Sequence, residues 1–94
     1  MQYIFEIERI TEKQPKDELQ TRTVFVKAEV IHTLEGTILY EMTIPVEYHY
    51  YGVYPDIKAI GKVVEDQKIK REAFFKIRRY IKKLRPFLEL TEED

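Results

Sequence analysis

The fold is decided by residues 24–48, VFVKAEVIHTLEGTILYEMTIPVEY, in which two alternating apolar runs flank a short polar segment that holds one glycine. Apolar residues occupy the even positions from Val24 to Val30, and again from Ile38 to Tyr50. A period of two is typical of strands that bury one face. The stretch therefore predicts a β-hairpin whose turn lies between the two runs.

The predicted turn also fixes how the two strands pair. A three-residue loop closed by Thr33 and Thr37 places Gly36 where a left-handed residue is usual. With that closure Val26 faces Ile44, so both apolar sets lie on the same side of the sheet. Turn chemistry and hydrophobic pattern agree on this register, and a slip by one residue would turn every apolar side chain to the other face.

The flanking sequence adds one strand and one loop. Residues 2–10, QYIFEIERI, alternate Tyr3 and Phe5 with mostly polar positions, which predicts a first strand. Residues 11–19, TEKQPKDEL, are polar and contain a proline, so we expect a solvated loop there. Pro45 cannot donate a ladder hydrogen bond, so the third strand should be an edge, or bulged, at that point.

The rest of the chain is predicted to be mainly helical. Asp66 is a suitable N-cap for a long helix that ends near Pro86, because proline disrupts a helix interior. Residues 55–65 predict a short extra helix or, alternatively, a strand, and residues 91–94 form an acidic tail. One broad arc of the long helix is apolar and should pack on the sheet; it consists of Ile69, Ala73, Phe74, Ile77, Tyr80, Ile81 and Leu84.

These elements predict a single α+β domain that spans residues 1–94. Its sheet is a three-stranded antiparallel meander, and the long C-terminal helix packs on one face of that sheet. The composition, 44% hydrophobic and 35% charged, is that of a globular protein rather than a disordered one. A chain of 94 residues has room for one modest core, so dimerisation would add useful buried surface.

The residue types that are missing narrow the class of protein. There is no cysteine, which excludes disulfides and thiolate metal sites. No apolar run approaches the length of a membrane span, so we expect a cytoplasmic protein that does not contact a membrane. Abundant Glu and Lys without Asn or Cys is a tendency of thermophilic proteins, although a chain this short can show it by chance.

The long helix carries the strongest functional signal. Residues 66–85 contain nine Lys or Arg against two acidic residues, whereas residues 1–65 contain seven against eleven. The side of the helix opposite the apolar arc holds Lys68, Arg71, Phe75, Arg78, Arg79 and Lys82. Solvated helix faces usually alternate in sign, because like charges repel. The pattern indicates an anion-binding face; the alternatives are a plain solvated face and pairing with the protein's own acidic surface.

Four tyrosines are concentrated in residues 48–54, YHYYGVY. Tyr48 and Tyr50 continue the inward apolar set and are predicted to be core or core rim. Tyr51 and Tyr54 break the alternation and are predicted to lie on a loop. Loop tyrosines suit a binding surface, but they would also serve to cover the open end of a small core.

No pattern in the chain indicates catalysis, a cofactor or a metal. There is no Ser or Cys nucleophile and no phosphate-binding loop. His32, expected opposite Ile38, and His49 lie roughly 35–40 Å apart along the predicted strands, too far to share a metal. Glu29 and Glu41 should face each other on the outer sheet face. Paired carboxylates can act as general acid and base or hold a cation, but they are also common on a solvated sheet, with Lys27 or Arg9 close enough to relieve their repulsion. Apolar side chains are also expected on that face: Ile4, Phe25, Ile31 and Leu39.

The sequence therefore favours a small non-catalytic binding module. We expect it to engage an acidic protein partner, as an inhibitor or adaptor, through the basic helix together with Tyr51 and Tyr54. The alternative is a nucleic-acid-binding protein that uses the same helix, and an enzyme is not expected. A homodimer is also predicted, either by matching the acidic sheet to the basic helix of a second copy or by joining the apolar outer residues about a two-fold axis.

Overall fold

The structure is a computed structural model that describes residues 1–11 and 21–92. Four strands and two helices follow one another along the chain: β1 (Gln2–Ile10), β2 (Arg22–Ile31), β3 (Ile38–His49), β4 (Gly52–Pro55), α1 (Ile57–Val63) and α2 (Gln67–Glu92). The strands form one antiparallel sheet in the order β1-β2-β3-β4. The α+β class and the meander are confirmed, with four strands instead of three. All but the first residue of the predicted polar loop, and the end of the acidic tail, lie outside the described residues.

The β2–β3 hairpin has the predicted register over most of its length. Val26 faces Ile44 and Glu29 faces Glu41, as expected from the alternation. The even-numbered side chains of β2 and β3 are buried, apart from half-buried Tyr40 and the two end positions Arg22 and Ile38. The buried side of the sheet is called the inner face below, and the opposite side the outer face.

The turn of this hairpin is one residue longer than predicted. The His32 amide donates to the Thr37 carbonyl and the Gly36 amide to the His32 carbonyl, which leaves four residues in the loop. A bulge after Val30 then pairs Ile31, and not His32, with Ile38. Gly36 has the predicted left-handed backbone, with φ of 71°. The bulge absorbs the extra loop residue, so the register of the paired strands is unaffected.

The fourth strand was missed because it is only four residues long and follows a turn without glycine. His49 pairs with Gly52, so the chain reverses at Tyr50 and Tyr51. Tyr50 was predicted to be core or core rim, but it lies in this turn and its side chain is 79% exposed. Tyr48, still within β3, is buried as predicted.

The edge predicted at Pro45 is confirmed. β4 pairs with β3 only from Val46 onward, so β3 has no neighbouring strand on that side at Pro45 within the described part of the chain. The Pro45 carbonyl accepts a hydrogen bond from the Asp56 amide at 3.0 Å, where the chain leaves the sheet for α1. The N–H that proline lacks would have no partner strand at this position, so the sheet loses no hydrogen bond there.

Both helices begin at an aspartate. The Asp56 carboxylate accepts hydrogen bonds from the amides of Lys58 and Ala59, and the Asp66 carboxylate accepts them from two amides of the first turn of α2. Of the two readings of residues 55–65, the helix is therefore the one observed. These caps satisfy amides that have no partner within the helix.

The predicted end of α2 near Pro86 was wrong, because the helix continues through it to Glu92. Pro86 is exposed, and Leu88, just beyond it, is 9% exposed and belongs to the core. Burying a leucine contributes about 2 kcal/mol, which offsets much of the roughly 3 kcal/mol that an interior proline costs. Burial of Leu88 thus opposes the local preference of proline and makes a helix through Pro86 tolerable at this exposed position.

The core lies between the inner face and the two helices. α2 contributes the buried residues Ile69, Ala73, Ile77 and Ile81, all in the predicted arc, and α1 contributes Ile60. At the β1 edge the Tyr3 hydroxyl donates to the Glu72 carboxylate at 2.8 Å. The Phe5 and Tyr80 rings lie 5.3 Å apart. The first strand and the long helix are therefore joined by both polar and aromatic contacts.

Replacing Gly36 tests the hairpin turn. We expect Gly36→Val to lower the free energy of unfolding by about 1 kcal/mol or more, because a β-branched residue is strained in the left-handed region. No heavy atom lies within 4 Å of where a Cβ would be added, so the loss comes from the backbone alone. Gly36→Asn is the control and should lose less, since asparagine tolerates this conformation. Urea denaturation measures both, and equal stability of all three proteins would contradict the expectation.

The Tyr3–Glu72 hydrogen bond predicts a loss of stability at alkaline pH. Burial, and then the neighbouring Glu72 carboxylate, raise the pKa of Tyr3 above the ordinary value of about 10. A raised folded-state pKa gives a stabilising contribution that is complete below about pH 10 and is lost as the pH rises through the folded-state value. Tyr3→Phe should therefore flatten the alkaline decline of the unfolding free energy. Tyr50→Phe, which alters an exposed tyrosine, should leave the decline unchanged, and an equal effect of both variants would count against the assignment.

Candidate functional site

The solvent side of α2 carries the side chains predicted to bind a partner. Five of these six residues are exposed, and Arg78 is half-buried; the six residues Lys68, Arg71, Phe75, Arg78, Arg79 and Lys82 are called the basic helix face below. Within residues 67–85 nine Lys or Arg stand against the single acidic residue Glu72. The structure thus brings the helical part of the predicted site together on one side of the molecule.

The charges of the basic helix face are not neutralised within the described residues. None of its five cations forms an ion pair with a described carboxylate, whereas on the sheet Lys27 pairs with Glu41. The first turn of α2 contains no acidic residue and includes Lys68 and Lys70. Cations near a helix N-terminus oppose the helix dipole, so this arrangement lowers the stability of the helix.

A cleft of about 470 Å³ lies beside this face, between α1 and α2. It is lined by Ile57, Gln67, Lys70, Arg71, Phe74 and Phe75. The Phe74 and Phe75 rings meet edge to face, 5.3 Å apart, and Phe75 remains 54% exposed. The cleft therefore combines an apolar wall with two cations, which suits an apolar side chain that has carboxylates near it.

A second cleft, of about 260 Å³, lies on the other side of α2, along β1. Its lining combines aromatic and cationic side chains: Met1, Tyr3, Phe5, Lys76, Arg79, Tyr80 and Lys83. The Lys76 ammonium lies 5.2 Å from the centre of the Tyr3 ring. Sequence analysis missed Lys76 and Lys83, although a wider arc on the helical wheel would have included them. It also missed Lys70, whose side chain lies against Gly61 of α1, a tertiary contact without a local signal.

The tyrosines do not join the basic helix face. Tyr54 belongs to β4 and pairs with Glu47 on the neighbouring strand β3. Its ring lies 5.0 Å from that of His49 on the outer face. The Tyr51 ring lies 6.1 Å from His49, and the Tyr50 ring 5.2 Å from Tyr51. The sheet thus separates this aromatic group from the outward side of α2. The predicted binding residues therefore form two surfaces instead of one.

The outer face of the sheet has the opposite charge. Its charged side chains are five carboxylates and two cations: Glu6, Glu8, Glu29, Glu41, Glu47, Arg9 and Lys27. Lys27 pairs with Glu41 at 3.5 Å, whereas the Arg9 guanidinium lies 4.0 Å over the Phe25 ring and relieves no carboxylate pair. Apolar Ile4 and Leu39 are 43% and 41% exposed among these charges. We call this surface the acidic sheet face.

The two histidines are not arranged as a pair of metal ligands. His32 Nδ1 accepts a hydrogen bond from the Glu35 amide, and His49 Nδ1 from the Tyr51 amide, so each histidine orders its own turn. Over residues 1–11 and 21–92, no group of three potential metal ligands comes together. The helices of that same part of the chain include none that is long and apolar enough to cross a membrane.

Comparison of the chain with protein-family models, curated proteins and solved structures finds no match. Function must therefore be argued from the geometry of the two charged surfaces and the adjoining clefts.

The repulsion within the basic helix face predicts that a charge reversal will stabilise the protein. Lys82 is exposed and lies one turn after Arg78, with no described carboxylate paired to either. Lys82→Glu should raise the free energy of unfolding by about 0.3 kcal/mol at low salt, because a like-charged i,i+4 pair becomes an attractive one. High salt should remove most of this gain. Lys82→Gln is the control and should gain less, because it removes the repulsion without adding an attraction. A loss of stability in the Lys82→Glu variant would show that the cation supports the fold.

Proposed function

We propose that the protein is a small non-catalytic binding module that engages an acidic protein surface through the basic helix face and the α1–α2 cleft. The observation that supports this most directly is the position of Phe75. Its half-exposed ring borders an apolar cleft and is surrounded by cations that have no partner among the described residues. An aromatic side chain in such a setting is typical of the residues that dominate interface energies.

The cations around Phe75 contribute more to the choice of partner and the rate of association than to the strength of binding. Exposed cations at the rim of an interface accelerate encounter with an acidic partner and exclude basic ones. They lower the stability of the free protein through mutual repulsion and through the helix dipole, so a bound anionic surface would relieve a strain that the free chain carries. Such a module would act in the cytoplasm as an inhibitor or adaptor, and a homodimer is its simplest assembly.

Nucleic acid is the second candidate partner. It is supported by the excess of cations on α2 and by the aromatic lining of the β1-side cleft, where Lys76 lies over Tyr3. A protein partner is favoured because Tyr51 and Tyr54 lie on the opposite side of the sheet, which leaves the basic helix face with Phe75 as its main stacking group. The acidic sheet face would also oppose wrapping by a polyanion.

Binding to acidic polypeptides tests the proposal. Polyglutamate and a random glutamate–tyrosine copolymer provide carboxylates without and with an aromatic anchor. The copolymer should bind more tightly, and Phe75→Ala should weaken its binding about tenfold, more than any single charge change, because buried anchors dominate interface energy. Arg78→Ala should mainly slow association at low salt. Tyr51→Ala is the matched aromatic control and should bind normally.

Oligonucleotides provide the opposing arm of the same experiment. If the basic helix face contacts roughly four phosphates, log affinity should fall against log salt with a slope of about −3 to −4, and Arg78→Ala should flatten that slope by about one. Duplex and single-stranded probes are measured at two salt concentrations. Oligonucleotide binding of this kind, without binding to the copolymer, would replace the protein partner with nucleic acid.

A further inference from the structure

We infer that the acidic surface bound by the basic helix face is the acidic sheet face of a second copy of the chain, so that copies stack head to tail. This inference rests on the proposed function and names its partner. It assigns a role to the acidic sheet face and its exposed apolar side chains, which the binding of an unrelated partner leaves unused.

Charge and apolar character are complementary between the two faces. The basic helix face presents five cations around Phe75, and the acidic sheet face presents five carboxylates and two cations together with the exposed Ile4 and Leu39. In a stack, Phe75 of one copy would contact the exposed aliphatic side chains of the next, while carboxylates surround it. Single exposed apolar residues are ordinary on a protein surface, but here they occur within both complementary faces: Phe75 among the cations, and Ile4 and Leu39 near Glu29 and Glu41 toward the β2–β3 turn.

The shape of the molecule suits this contact. The two faces lie on opposite sides of the sheet–helix sandwich, whose extents are 45, 24 and 17 Å. Its broad faces are large enough for the roughly 800 Å² per partner that a specific interface buries. The arrangement requires no rearrangement of the sheet, because every participating side chain already points away from the core.

Because the two faces lie on opposite sides of the molecule, the assembly of copies cannot be a two-fold dimer. A two-fold dimer must use one self-complementary patch on both copies, whereas a contact between different patches repeats from copy to copy. The head-to-tail contact leaves one free face at each end of any stack. A dimer is then the smallest assembly, and its mass should increase further with concentration.

Sedimentation of the full chain at low and high salt measures this assembly. The average mass should rise beyond that of a dimer across the micromolar range at low salt, and fall towards the monomer at high salt as charges are screened. A monomer mass at all concentrations and both salts would overturn the inference. So would a mass that stops at the dimer, because a closed two-fold pair would not use opposite faces.

Two charge-reversed variants test the faces separately. The helix-face variant carries Arg71→Glu and Lys82→Glu, and the sheet-face variant carries Glu29→Lys and Glu47→Lys. Each change is on a surface position outside the core. Each variant alone should be monomeric at low salt, because one of its two faces is disabled. Matched controls reverse two charges elsewhere, Lys58→Glu with Lys62→Glu and Glu35→Lys with Glu65→Lys, and should assemble like the native chain.

Mixing the two variants gives the decisive result. In the mixture the helix face is disabled by Arg71→Ala with Lys82→Ala, because two charge-reversed faces would attract each other and add a second contact. The alanine variant keeps an intact sheet face and the sheet-face variant keeps an intact helix face, so the mixture should form a one-to-one dimer that grows no further. A mixture with the alanine variant that stays monomeric would refute the head-to-tail contact.

The glutamate–tyrosine copolymer separates this inference from the proposed function. The sheet-face variant should bind the copolymer like the native chain, and the helix-face variant should lose that binding. Copolymer binding without any self-association would overturn the stacking and leave the proposed function intact. Self-association that survives in the helix-face variant would overturn the stacking, and copolymer binding that survives in that variant would overturn the proposed function.

Discussion

The rest of the structure depends on the alternation of apolar and polar side chains along β2 and β3. Because this pattern has a period of two, it places the buried side chains from Val24 to Tyr48 on one face and the charged ones on the other. The apolar face must be covered, and α2 covers it with an arc that includes Ile77 and Ile81. The hairpin register thus determines where the helix packs and which of its sides remains in water.

Charge separation is a consequence of this two-layer arrangement. Most charged residues of the strands point to the outer face, and most charged residues of α2 point away from the sheet. Since the strands are rich in glutamate and the helix in Lys and Arg, the two broad faces acquire opposite signs. The near-neutral total of −1 conceals this dipole. An extended surface of one sign lowers the stability of the free chain, and it sets the sign of charge that each face attracts.

The candidate site was only partly predictable. Phe75 and the cations around it follow from the helical wheel, because positions on a helix determine direction once the buried arc is known. The clefts on either side of α2 do not follow from it, since they depend on α1 and β1 lying beside the helix. The prediction that Tyr54 lies on the same binding surface as the basic helix face was wrong for a related reason. Its direction is set by pairing with Glu47, a contact that the sequence alone does not reveal.

The sequence by itself determined the features that repeat locally: the strand alternation, the left-handed Gly36 and the Asp66 cap. Each of these is set by backbone sterics or by hydrogen bonds to near neighbours. Tertiary structure alone decided the helix through Pro86 and the short strand that contains Tyr54. In both cases the deciding contribution is the burial of an apolar side chain, Leu88 or Val53, against residues far away in the sequence, and it opposes a weak or unfavourable local preference. A local preference at one residue is set at that residue alone, whereas a periodic pattern is reinforced at every turn or pleat.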